Sequence, residues 1–151
     1  MATWAVFAGE QGEFATRVRR LFEEHRHHTM ATLRRSGSPR ISGTEVAFED
    51  GELVLGMMRN SRKALDLRRD PRLALHSHTV DPPADDPSAW CGDAKIAGTA
   101  IEVGDTGRAN GGHRFLLDVT AVTLTRVGSP ADYLVIESWD PEHGLVRRER
   151  R

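Results

Sequence analysis

At 151 residues, 38% hydrophobic and 28% charged, the chain has the length of one domain and enough apolar side chains for one core. Its 21 basic and 22 acidic side chains leave a formal charge of −1, which excludes the broad basic face of a general nucleic-acid binder. No apolar run approaches the roughly 20 residues that span a bilayer. The amino terminus lacks the charged-then-apolar order of a secretory signal, and the single cysteine, Cys91, excludes an internal disulfide and a cysteine-built metal cage. The expectation is a soluble, cytoplasmic, single-domain protein over residues 1–151, with neither nucleic acid nor membrane as partner.

Residues 13–27 place Phe14, Val18, Leu21, Phe22 and His25 on one stripe at helical spacing, so they predict an amphipathic helix that ends near His25, His27 and His28. The period then changes. Met30 to Arg35 alternates, Ser36-Gly37-Ser38-Pro39 supplies a turn, Ile41–Phe48 predicts a second strand, and Leu53–Met58 a third beyond the turn Glu49-Asp50-Gly51. The stretch SRKALDLRRDP predicts a short helix with Ser61 as N-cap and Pro71 as its stop, and Arg72–His78 returns to a strand. Residues 79–93, with three prolines and four aspartates, predict a long loop, and Gly104–Gly112 a short glycine-rich connection. Ala94–Val103, His113–Val127 and Tyr133–Trp139 complete the strands. Within 113–127 the apolar phase runs Phe115, Leu117, Val119, Ala121 and then moves to Val122 and Leu124, which predicts a bulge at a barrel corner. The fold class is mostly β: six to seven antiparallel strands closed into a small barrel whose interior is filled by side chains, with residues 13–139 as core and 140–151 as a frayed basic tail. A ligand must therefore sit on the outside of the barrel or between subunits.

The strongest chemical signal is the strand–helix junction holding Arg59, Asn60, Ser61, Arg62 and Lys63. Backbone N–H groups, the positive end of a helix dipole, a hydroxyl and cations meet there, a combination suited to a phosphate monoester. An ordinary capped surface helix with solvated charges is the competing interpretation of the same residues. His76 and His78 alternate on a strand but have no matching carboxylate or cysteine, so no metal site is assigned; a bound haem would make them the first ligands to examine. Cys91 has no neighbouring histidine and Trp90-Cys91 lies in the long loop, where it covers a cofactor or closes the barrel mouth. No residue is marked as a catalytic acid or base, so a flavin- or haem-binding carrier or sensor without turnover stands as an alternative to an enzyme.

The order of elements adds to this. The stretches "GSPRISGTEVAFEDGELVL" and "SRKALDLRRDPRLAL", in a match running from about Phe14 to Trp139, resemble the flavin-binding split-barrel family related to pyridoxamine 5′-phosphate oxidase. The resemblance implies a homodimer that binds FMN, or a deazaflavin, in clefts at the subunit interface and acts as an oxidoreductase on a small molecule. It implies that Arg62 and Lys63 hold the flavin phosphate with Ser61 and Arg59 nearby. Ile41, Ser42 and Gly43 would run along the ring or ribityl chain, and Met57 and Met58 would lie against them, with core filling the competing fate of at least one methionine. Trp90 and Trp139 would reach the site from the partner subunit or serve as plain interface packing. Extra arginines, Arg59, Arg68 and Arg69, would suit the longer anionic tail of a deazaflavin. No counterpart of the oxidase's longer carboxy-terminal segment follows Trp139, so pyridoxamine phosphate is not the expected substrate.

Overall fold

The computed structural model describes residues 2–104 and 111–151; most of the Gly104–Gly112 connection lies outside them. Within the described residues the order is α1 (Trp4–Glu23), β1 (His27–Leu33), β2 (Pro39–Glu45), β3 (Ala47–Glu49), β4 (Glu52–Met57), α2 (Arg62–Arg69), β5 (Arg72–His76), β6 (Asp93–Val103), β7 (His113–Val127), β8 (Leu134–Asp140) and β9 (Gly144–Arg150). The strands form one sheet in the order β2-β1-β5-β6-β7-β4-β3, with β8 on β7 and β9 on β8. β7 serves two neighbours. Its first residues pair with β4, from His113 opposite Met57 to Leu116 opposite Val54, and its last six pair with β8. That division splits the barrel, and β4 returns against β2 to close one side.

The corner lies where the apolar phase predicts it. Ala97 pairs with Ala121 but Gly98 pairs with Val119, leaving Thr120 as the extra residue of a bulge. Phe115, Leu117 and Val119 face inward before it, Val122 and Leu124 after it. The chain's first described residue docks beside the bulge: the Ala2 N–H donates to Asp118 Oδ1 (2.6 Å) and the Ala2 carbonyl accepts from the Val119 N–H (2.8 Å). The barrel interior is solid. Leu53, Leu55, Ile96 and Phe115 are each at most 1% exposed, and Phe14, Val18, Leu21 and Phe22 of α1 are buried with them.

The structure corrects four expectations. The first helix begins at Trp4, not near residue 13, because the Thr3 side chain accepts from the Val6 N–H (3.2 Å) and Trp4 and Phe7 are themselves core residues; a non-helical Gln11 resets the phase between the two halves. It ends at Glu23, so His27 and His28 belong to β1 and not to a helix terminus. The second predicted strand divides at Val46 into β2 and β3, which raises the strand count. The tail is not frayed. Asp140 Oδ1 accepts the N–H groups of Glu142 and His143 (both 2.9 Å), Gly144 takes φ 69°, and the chain reverses into β9, paired with β8 from Gly144 to Arg150. Backbone pairing is indifferent to the arginines, which project from an edge strand and discourage further pairing there. The long loop contains a single 3-10 turn, Pro87–Ala89, and Trp90 Nε1 ties its two ends together by donating to the Val80 carbonyl (2.5 Å).

Opposite the bulge, a Cβ on Gly98 would stand 2.2 Å from the Asp118 carbonyl oxygen and 2.7 Å from Leu117 Cδ1. Gly98→Ala is expected to cost about 1–3 kcal/mol, the usual penalty of overpacking against atoms that cannot retreat. At Gly12 in α1 a Cβ meets nothing within 4 Å. Gly12→Ala is expected to stabilise by about 0.5–1 kcal/mol. Denaturant titration of the two variants measures both signs.

Candidate functional site

α2 is fixed to the barrel by a buried carboxylate. Asp66 is 3% exposed and accepts from Thr32 Oγ1 on β1 (2.8 Å), from Arg40 Nε on β2 (2.6 Å) and from Arg69 Nη2 one turn along (3.2 Å). Burial alone would raise its pKa; the hydrogen bonds from Arg40, Thr32 and Arg69 outweigh burial and hold the carboxyl below its ordinary value. Arg69 also donates to the Leu33 carbonyl, so three elements converge on one turn of helix.

The junction before α2 is a tight turn. The Ser61 N–H donates to the Met58 carbonyl (3.1 Å), and Asn60 takes a left-handed φ of 54°. The Asn60 N–H donates to Nε2 of His113 (3.0 Å), whose Nδ1 lies 3.0 Å from Glu102 Oε1, and Arg68 grips Glu102 with two bonds of 2.8 Å. Arg68 and His113 bring the Glu102 carboxyl down to about 2. Ser61 occupies the predicted N-cap position without making the capping bond, and its buried Oγ has no hydrogen-bond partner among the described residues. Lys63 reaches back across the sheet: its Nζ donates to the Gly43 carbonyl on β2 (2.6 Å). Burial lowers the Lys63 pKa, against the pull of Glu45. Arg59 and Arg62 are exposed and have no ion-pair partner among the described residues.

Next to Gly43 the outer face of the sheet is flat. Strand registers align Ile41, Ala31, Ala74, Ala97 and Ala121 in one row across five strands. The adjacent row is Gly43, Thr29, His76, Lys95 and Thr123. Between the rows lies a shallow, mostly apolar recess of about 350 Å³. A larger depression of about 860 Å³ lies between the end of α1 and β3–β4, where the five carboxylates of Glu23, Glu24, Glu45, Glu49 and Asp50 outnumber the guanidiniums of Arg26 and Arg114, the second of which is paired with Glu49. The recess, with its cationic border, is the better match to a flat anionic ligand.

The sequence-predicted residues divide accordingly. Arg59, Ser61, Arg62 and Lys63 share the turn and the start of α2, and the Lys63–Gly43 bond joins them to Ile41, Ser42 and Gly43. Met58 is 78% exposed beside the turn, whereas Met57 is a core residue at 2%. Trp139 is 3% exposed and packs on Phe7 (ring centroids 4.7 Å apart), so its ring faces the core and is not offered to a ligand on the outer face. Trp90 and Cys91 share a small cavity with Arg17, Leu21 and Leu124 on the α1 side. His78 lies beyond the end of β5 and stacks on His25 (4.1 Å), so it does not share a strand face with His76, whose Nδ1 is 2.6 Å from the Ser77 carbonyl oxygen. Among the described residues no three His, Cys, Asp or Glu side chains are placed to hold a metal ion. Asp66, Arg40, His113 and Glu102 carry no sequence signal of their role, because each acts through a partner 11 to 53 positions away.

No protein-family profile and no curated protein matches the chain. Solved structures match it by shape. A pyridoxamine 5′-phosphate oxidase-related, FMN binding protein from Nostoc punctiforme superposes with a TM-score of 0.63 at 12% identity, covering 93% of this chain and 96% of that one. The chain has the pyridoxamine 5′-phosphate oxidase-like split-barrel fold. A heme binding protein from Mycobacterium smegmatis matches with a TM-score of 0.58 at 14% identity, over 89% of this chain and 86% of the other. An F420 reductase matches with a TM-score of 0.52 at 14% identity, over 69% and 94%. At such identities the likeness is one of fold.

Removing the carboxylate that anchors α2 leaves the buried Thr32 hydroxyl and the partly buried Arg40 guanidinium without this acceptor. Asp66→Ala is expected to cost about 3 kcal/mol near neutral pH. Because the folded carboxyl titrates below its unfolded value, its contribution is complete above about pH 4 and lost as pH falls through the lowered folded value. The stability difference between wild type and Asp66→Asn, followed by chemical denaturation from neutral pH into that acid window, is expected to shrink steadily.

Proposed function

We propose that two copies of this chain bind FMN between them and act as a flavin-dependent oxidoreductase on a small-molecule substrate. The observation that carries this is the Lys63–Gly43 bond, which joins a cationic helix start to a flat face of small residues. The phosphate end of the cofactor needs charge-assisted donors. Lys63 has two further N–H bonds to give, Arg62 supplies a planar fork with no ion-pair partner among the described residues, and the Ser61 hydroxyl, orphaned among them, gains a partner. The first turn of α2 adds N–H groups without intrahelical acceptors. Gly43, Ala31 and Thr29 leave room for a ring to lie close to the strands. Bound there, the flavin ring supplies the hydride and electron transfer itself, so the reaction needs no dedicated acid or base from the chain.

The filled barrel interior excludes an internal ring, so one face of an outer-bound ring stays wet on a single chain. A second copy laid on the alanine row would cover that face and the exposed Ile41, in keeping with the two-fold symmetry most common among oligomers. Such an interface is expected to bury more than ~2,000 Å² in total. FMN is favoured over a deazaflavin by how the arginines are used. Of the three arginines that would suit a longer anionic tail, Arg68 is engaged by Glu102 and Arg69 by Asp66 and Leu33, which leaves Arg59 without an ion-pair partner among the described residues.

The absorption spectrum of the purified protein gives the first test: flavin bands released on denaturation support the proposal, and a Soret band points to haem instead. Paired titrations of apoprotein with FMN and with a deazaflavin are expected to favour FMN. Arg62→Ala and Lys63→Ala are each expected to weaken FMN binding by about 1.5–3 kcal/mol, the value of a charge-assisted hydrogen bond. Light scattering over a dilution series is expected to give a dimer, and a stable monomer that binds FMN stoichiometrically overturns the shared site.

A further inference from the structure

The proposed phosphate turn is held by a histidine whose tautomer the geometry dictates. A backbone N–H is always a donor, so the Asn60 N–H at 3.0 Å requires a lone pair on His113 Nε2. The proton of the neutral ring is then on Nδ1, where Glu102 Oε1 accepts it at 3.0 Å. His113 is 6% exposed, so water cannot readily substitute for either partner. Around it, among the described residues, the facing charged groups are Glu102 from β6 and, through Glu102, Arg68 from α2; Arg59 runs past Gly111, its Cδ 3.5 Å from where a Cβ would be. From β4 its register partner is the uncharged Met57, and the adjacent Arg114 is engaged by Glu49. A proton added at Nε2 would set two donors face to face and break the Asn60 bond, while Glu102 would welcome the resulting charge. Neutral His113 supports the turn and cationic His113 does not.

We infer that His113 is a positioning residue that holds the Arg59–Lys63 turn in its anion-binding shape only when neutral, so that phosphate binding there is coupled to loss of a proton from His113. This rests on the proposed cofactor site. FMN affinity is therefore expected to fall about tenfold on acidification from neutral pH. His113→Gln replaces the lone pair with an amide oxygen and removes the titration. It is expected to bind FMN nearly as well as wild type at neutral pH but with a flatter pH profile, whereas His113→Leu binds weakly throughout. Titration of the FMN phosphate itself appears equally in wild type and His113→Gln, so the difference between them isolates the histidine. A second readout needs no cofactor: the exchange protection of the Asn60 amide in unliganded wild-type protein, followed by NMR, is expected to drop on acidification. Equal pH profiles for wild type and His113→Gln, affinity that rises on acidification, or Asn60 protection that is constant with pH each overturn the inference. If FMN binds at no pH, the cofactor proposal fails while the Asn60 amide in wild-type protein still decides the role of His113.

Discussion

The buried carboxylate of Asp66 is the constraint on which the candidate site depends. A short eight-residue helix has little stability of its own, and α2 carries four arginine or lysine side chains that repel one another. Threonine from β1 and arginine from β2 both end on Asp66, which turns the helix so that its first residues stand over β2. Only from that orientation does Lys63 reach the Gly43 carbonyl. The same side chain thus supports folding and places the cationic group beside the flat face.

A second constraint comes from the long pair β6–β7. The bulge at Thr120 lets β7 face two ways, toward β4 at one end and toward β8 at the other, and keeps apolar side chains inward on both sides of the corner. The interior fills completely as a result, and small residues are left outside. A solid barrel with a smooth alanine-lined exterior is a poor container and a good platform. The cationic turn at its margin gives that platform an anchoring point.

The turn itself is supported from below. Asn60 adopts a backbone conformation that costs a non-glycine residue, and the bond to His113 offsets that cost. His113 is oriented by Glu102, and Glu102 by Arg68 of the very helix the turn introduces. The loop is closed on itself: helix, strand and turn each hold the next. Its charged members are paired within it, whereas Arg59 and Arg62 have no ion-pair partner among the described residues.

Local patterns sufficed for much of this protein. Alternation along residues 30–58, the turn residues between strands and the phase shift inside 113–127 are properties of consecutive side chains, so they specify strands and a corner without outside help. The basic run around Ser61 was legible for the same reason, since its residues are neighbours in the chain. Long-range pairing decided the rest. The amino-terminal half of α1 and strand β9 exist because Trp4 and Phe7 have a core to enter and because Gly144–Arg150 has an unpaired edge beside it. Met57 and Trp139 turn inward with the alternating residues of their own strands, Leu53 and Leu55 for the first and Val135 for the second. Asp66 and His113 gained their roles only when strands far apart in sequence came within hydrogen-bond distance, and no period or motif in a single chain segment encodes a distance of that kind.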